Sequence, residues 1–173
     1  PVLRTITNRH VNGYNAYMKT AWKPFAFFVA LSLAAGGIGS LFTFPAIGSW
    51  YAGLVHPSWT PPNWVFGPVW NTLYILMGLS AGFVWNSGSK GREWAIALFV
   101  LHLGVNIAWS VVFFGLEDVV SALVIIKSLW LLIVAMMIFF WRFSHRATYL
   151  LIPYLLWVTY ASTLNLGIIL LNP

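Results

Sequence analysis

The chain has 173 residues, of which 60% are hydrophobic and 7% charged, with a formal net charge of +6 and no cysteine. A soluble globular domain carries about 25% charged residues, so this chain lacks the polar surface to coat itself against water, and a bilayer is its natural solvent. The missing cysteines exclude disulfides and thiolate metal sites, and the basic residues fall between apolar runs, which is a membrane topology signal and not a nucleic-acid footprint.

Residues 1–23 form a basic tail with Arg4, Arg9, Lys19 and Lys23 and no acid. Its composition fits the remnant of a targeting segment, an interfacial piece or a cytosolic tail. Five apolar runs follow, at about 24–44, 64–86, 94–114, 120–141 and 147–170, each near the ~20 residues that cross a bilayer. The expected fold is all-α: an integral membrane bundle of five transmembrane helices. With five spans, the tail and the loops at 87–93 and 142–146 share one side. That side holds Lys90, Arg92, Arg142 and Arg146 as well as the tail's cations, while Glu117 and Asp118 lie on the other. The positive-inside rule then places the N-terminus in the cytoplasm. An even number of spans would scatter the cations over both sides.

Between the first two runs lies a stiff aromatic stretch, His56 to Trp70. Pro57, Pro61, Pro62 and Pro68 alternate there with Trp59, Trp64 and Trp70. Each proline fixes φ, removes a donor and pushes the preceding residue out of the α region. The stretch is therefore expected to run extended and to enter a helix at about Asn63 or Trp64, with Pro68 in the first turns. One reading of the tryptophans is an interfacial aromatic belt. The other is a preformed lid over a cavity for a flat apolar ligand.

Three polar–aromatic stripes at helical spacing support the second. Gly67, Asn71, Tyr74 and Gly78, with Trp70 at the edge, line one face of the second run. His102, Asn106, Trp109, Ser110 and Phe113 do so in the third, and Tyr154, Trp157, Ala161 and Asn165 in the fifth. Polar side chains facing lipid are costly, so the stripes should face inward. Apolar walls with a few placed polar groups make a small-molecule site. The candidate ligand-binding residues are Trp59, Trp64, Trp70, Asn71, Tyr74, Asn106, Trp109, Tyr154, Trp157, Ala161 and Asn165. The competing reading for Asn106 and Asn165 is interhelical hydrogen bonding. Small residues at four-residue spacing (Ser32, Gly36 and Ser40; Gly78 and Gly82; Gly104 and Ala108) suit close helix packing, within one bundle or at a homodimer seam. Lys127 either snorkels toward the Glu117–Asp118 side or points into the bundle.

No Asp or Glu lies within a run, and His10, His56, His102 and His145 do not pair at i,i+4. Zinc binding, carboxylate catalysis and carboxylate-based proton coupling are therefore unsupported. No cofactor is required by the pattern, and ligation of haem by His56 or His102 is the remaining metal option.

The segments Trp50–Leu54, Pro57–Pro62 and Trp64–Tyr74, then Asn106–Ser110 with Phe113–Gly115, then Pro153–Trp157 with Ala161–Asn165, occur in an order and spacing that resemble the translocator proteins, or tryptophan-rich sensory proteins. The resemblance spans roughly Phe25 to Leu171. It implies a five-helix membrane protein, often dimeric, with a cavity for porphyrins and other tetrapyrroles, sterols and drug-like aromatics, in a bacterial membrane or a eukaryotic organelle such as the mitochondrial outer membrane. It also implies two alternatives: light- and oxygen-dependent porphyrin breakdown, for which Trp70 and Trp157 stand at the implicated positions, and an accessory subunit of a larger membrane complex. Two departures stand out. Ser162 to Pro173 holds no Lys or Arg, so the sterol pattern after Tyr160 is incomplete, although Arg146–Leu150 matches its inverted form. Ser121 and Ile125 stand near positions where animal members carry a tryptophan and an acid.

Overall fold

The computed structural model describes residues 21–173; Arg4, Arg9, His10 and Lys19, and most of the expected tail, lie outside the described residues. Six helices follow in order: α1 (Lys23–Ile47), α2 (Asn63–Asn86), α3 (Arg92–Ser110), α4 (Val119–Trp141), α5 (His145–Leu150) and α6 (Ile152–Leu171). A 3-10 turn at Tyr51–Gly53 lies in the α1–α2 connection, and a π-helical segment at Val111–Gly115 prolongs α3. No strand occurs among the described residues.

The helix ends follow local chemistry. Pro24 sits in the first turn of α1, where its missing N–H breaks no intrahelical bond. Pro62, extended at φ −55° and ψ 143°, caps α2, and α2 runs through Pro68 without ending. Asp118 caps α4 by accepting from the Val120 and Ser121 amides at 3.1 and 2.9 Å. The Ser121 hydroxyl and then its amide, with the Val120 amide, hold the Asp118 carboxyl below the usual range. The last apolar run is divided at Leu151, because Pro153 has no N–H to offer the turn before it.

Four stretches are long and apolar enough to cross a membrane: α1, Arg92–Gly115, α4 and His145–Leu171. Helix α2 is as long, but with Asn63, Trp64, Trp70, Asn71, Tyr74, Trp85 and Asn86 its mean hydropathy does not reach that of the other four. The expected fifth span is thus not carried by composition.

Helices α1 and α2 form the closest pair. At Gly78 the Val29 backbone occupies the space a Cβ would need; Phe25 does so at Gly82 and the Tyr74 ring at Gly36. These glycines therefore let backbones meet inside one bundle. Gly104, with open space where a Cβ would be, faces outward. Lys127 is exposed on the outer side of α4 and does not enter the bundle. Toward the Lys90 and Arg142 end the interior is solid, with Phe28, Met77, Phe99, Ile133, Met136, Phe140 and Leu151 buried together. A smaller cluster of Tyr51, Phe113, Ala122 and Ile168 closes the other end.

Candidate ligand cavity

Between these two clusters the helices enclose a cavity of about 570 Å³, within the size range of small-molecule sites. Helix α1 contributes Leu33, Gly36, Gly37, Gly39, Ser40, Thr43, Phe44 and Ile47, and α2 contributes Asn63, Trp64, Phe66, Gly67, Trp70, Asn71 and Tyr74. The α3 side supplies Trp109, Ser110, Phe113 and Phe114, and α6 supplies Trp157, Ala161, Leu164, Asn165 and Ile168. Tyr51 comes from the connection. No lining residue is charged, so the site suits an apolar guest with few polar groups.

Its aromatic wall is ordered by ring-on-ring contact. Trp70 stacks on Tyr74 with centroids 5.7 Å apart and on Trp109 at 6.5 Å. Trp109 stacks on Phe113 at 5.2 Å and meets Phe114 edge-on at 5.9 Å. Phe113 and Phe114 both reach the cavity from the π-helical segment Val111–Gly115. An α-helix would set these neighbours about 100° apart, and π segments are frequent at functional sites. Trp157 is braced edge-on by Phe66 at 5.8 Å. Its indole nitrogen is buried without a partner among the described residues.

Behind the aromatic wall lies a polar chain. The Tyr74 hydroxyl donates to Asn106 Oδ1 at 2.7 Å, and Asn106 Nδ2 donates to the Tyr154 hydroxyl at 3.0 Å. Tyr154 lies 2.8 Å from His102 Nε2. Asn165 makes a second link: its Oδ1 accepts from Trp109 Nε1 at 3.4 Å, and its Nδ2 donates to the Val119 carbonyl at 2.8 Å.

Of the residues singled out from sequence, Trp64, Trp70, Asn71, Tyr74, Trp109, Trp157, Ala161 and Asn165 line the cavity. Asn106 and Tyr154 stand behind its wall, where Asn106 makes the interhelical bonds of the competing reading. Trp59 is 54% exposed, and its indole leans on Gly167 of α6 outside the cavity. Trp64, 74% exposed, stands at a mouth between α1 and α2, where Gly37, Phe44, Gly67 and Asn71 are exposed as well. Neither candidate haem histidine lines the cavity. His56 Nε2 is held 3.0 Å from the Tyr51 carbonyl and His102 Nε2 by Tyr154, so neither fits an axial role toward a guest there.

The α1 wall was not anticipated; the four-residue spacing of Gly36 and Ser40 signals close approach and does not distinguish a partner helix from a hollow. Tyr51 was also missed as the roof. Burial pushes its phenol above the ordinary tyrosine range, so it stays neutral.

The TspO/MBR family model matches residues 28–171. The chain is 46% identical over 148 residues to the tryptophan-rich protein TspO of Chlorobaculum tepidum, covering 84% of this chain and 93% of that one. It is 36% identical over 155 residues to the tryptophan-rich sensory protein of Cereibacter sphaeroides, covering 90% and 95%. With the human translocator protein it shares 36% identity over 151 residues, covering 86% and 89%. The match runs from the buried face of α1 to the end of α6 and includes every helix that walls the cavity. This chain belongs to the TspO/MBR family and is an integral membrane protein.

Proposed function

We propose that the cavity binds a flat, mostly apolar ring system, a tetrapyrrole such as a porphyrin first and a sterol second, and that the protein acts as a membrane receptor or transport protein with a regulatory role. The observation that carries this reading is the uncharged hollow of about 570 Å³ with Trp70, Trp109 and Trp157 in its walls. Planar guests gain from indole faces through offset stacking, and a porphyrin's peripheral carboxylates can emerge at the mouth beside Asn71 and Trp64. The names of the relatives, one a sensory protein and one a translocator protein, point the same way.

In this proposal all five long helical stretches cross the bilayer. The 24 residues of α2 reach roughly 36 Å at about 1.5 Å per residue, against ~30 Å of hydrocarbon. Its Asn63, Trp64, Trp70, Asn71 and Tyr74 face the cavity or its mouth, while Ser80 and Asn86 are bonded to the Ala147 and Ala21 carbonyls. The N-terminus is cytoplasmic, because Lys23, Lys90, Arg92, Arg142 and Arg146 then share the cytoplasmic end. Two copies pair through the outward α3 face at Gly104, where a missing Cβ leaves room for another backbone.

Titration of purified protein with protoporphyrin, followed by tryptophan fluorescence, tests the binding. Saturable quenching is expected at micromolar ligand, and Trp70→Phe with Trp157→Phe should weaken it. Unchanged quenching in the double variant would remove the site. A second reading, light- and oxygen-dependent porphyrin breakdown, is favoured by the direct stacking of Trp70 on both Trp109 and Tyr74. It requires loss of porphyrin absorbance under light only, abolished by the same two changes.

A further inference from the structure

The connection from Gly48 to Pro62 leaves α1, crosses to the far end of α6 and returns to α2, so it forms a strap across one end of the cavity. Three separate contacts fasten its outer half to α6. The Asn172 side chain pairs with the Val55 backbone in both directions: its Oδ1 accepts from the Val55 amide at 2.9 Å, and its Nδ2 donates to the Val55 carbonyl at 3.0 Å. The same Nδ2 lies 2.8 Å from the Ile168 carbonyl, which ties the side chain to α6 itself. Pro57 rests on Gly167, where a Cβ would collide with the proline ring. The Tyr160 hydroxyl donates to the Trp59 carbonyl at 2.6 Å.

The inner half of the strap carries the roof. Tyr51 lines the cavity and is tied to the outer half through His56, which packs on its ring at 4.5 Å and contacts its carbonyl at 3.0 Å. Only one residue, Leu54, separates the 3-10 turn from Val55. Motion of Val55 is therefore passed to Tyr51 over a short chain.

We propose that Asn172, with Tyr160 and Gly167, is a positioning residue that latches the strap and holds the Tyr51 roof over the ligand, so that the latch sets how long a bound guest stays. This rests on the reading of the cavity as the ligand site. Asn172 does not itself line the cavity; beyond the strap it holds only the backbone carbonyl of Ile168, so its effect on a guest runs through the strap. Its hydrogen bonds are exposed or part-buried, which makes them weak enough to open without unfolding the bundle. Losing the Val55 pair should shift the closed-to-open ratio roughly tenfold, about 1.4 kcal/mol.

The test has two arms, applied to Asn172→Ala, Asn172→Asp, Tyr160→Phe and Gly167→Ala in the full chain. In the first, amide hydrogen exchange is read along the strap without ligand. The Val55 amide and its neighbours up to Thr60 should exchange about tenfold faster in Asn172→Ala, with α2 and α4 unchanged. Asn172→Asp keeps the acceptor for the Val55 amide and loses both donations, so it should fall between. Gly167→Ala leaves Asn172 intact and must lift Pro57, so it should raise strap exchange by a separate route; Tyr160→Phe, a change of one hydroxyl, should do so mildly. In the second arm, protoporphyrin dissociation is followed by recovery of tryptophan fluorescence. The off-rate should rise by about the same factor as the exchange, with the on-rate changed less.

Strap exchange equal to wild type in Asn172→Ala and Gly167→Ala would overturn the proposal. Faster exchange with an unchanged off-rate would overturn it too, since the latch would then be purely structural. Failure of wild-type protein to bind protoporphyrin at all would count against the cavity reading, and the exchange arm would still decide the latch.

Discussion

The phenol of Tyr74 on α2 is hydrogen-bonded to Asn106 on α3 at 2.7 Å, and this single contact joins the cavity wall to the polar chain behind it. The ring it holds closes over Gly36 of α1 and carries Trp70 on its face. Replacing Asn106 by Leu leaves the Tyr74 and Tyr154 hydroxyls without their shared partner. We expect a loss of about 1–3 kcal/mol, read as a lower unfolding midpoint in detergent, and weaker planar-ligand binding because the Trp70–Tyr74 stack loosens. Tyr74→Phe removes one donor and leaves Asn106 its bond to Tyr154, so it should cost less. Equal midpoints for Asn106→Leu and wild type would show that the chain is not structural.

The glycines separate into two kinds. Gly78→Ala drives a methyl group into the Val29 backbone, and such overpacking costs about 1–3 kcal/mol. Gly104→Ala meets nothing and should not destabilise the monomer, since alanine favours a helix interior over glycine. Thermal unfolding of the two variants side by side checks this.

Gly104 also bears on assembly. If two copies meet on this face, Gly104→Phe should shift the detergent-solubilised protein from dimer to monomer, measured by light scattering, while protoporphyrin quenching persists. A variant that remains dimeric would place the seam elsewhere.

Acid should loosen the α4 terminus in a defined direction. The Asp118 carboxyl is held below its ordinary value near 3.8 by its bonds to Ser121 and Val120. A depressed carboxyl contributes stability that is fully present above its unfolded-state value and is lost as pH falls through the folded-state value. Wild type should therefore lose stability below about pH 4 in part through this cap. Asp118→Asn caps equally well and does not titrate, so its unfolding midpoint should fall less over the same range. Parallel pH profiles would contradict the role given to Asp118.

Much of this architecture was legible in the sequence because the signals were stereochemical. Prolines at 57, 61 and 62 keep the strap out of helix, and α2 begins at Asn63 as their spacing requires; the expected extended run is interrupted at Ser58 and Trp59 by a turn in which the Thr60 amide donates to the Pro57 carbonyl at 2.9 Å. The stripe from Tyr154 to Asn165 sits on the inner side of α6 because its four-residue steps keep one face of a helix. Other features left no such mark. The π turn at Val111–Gly115 uses the same aromatic residues an α-helix would. Asn71 and Asn106 look alike in sequence, yet one lines the cavity and the other is spent on two tyrosines. Trp59 shares the proline frame of Trp64, but the strap has crossed to α6 by then and turns its indole outward. The Asn172–Val55 pair joins residues 117 apart, a separation that local pattern cannot reach. The break at Leu151 is readable from Pro153, although the unbroken hydropathy of the run makes it read as one helix.

The most direct test is a ligand-bound structure with protoporphyrin. The ring is expected between α1, α2, α3 and α6, with its plane against Trp70 and Trp157 and the Tyr51 roof closed above it. A porphyrin seated instead in the outer groove between α2 and α6, against Pro68, Leu76, Pro153 and Tyr160, with the inner cavity free of it, would contradict the assignment.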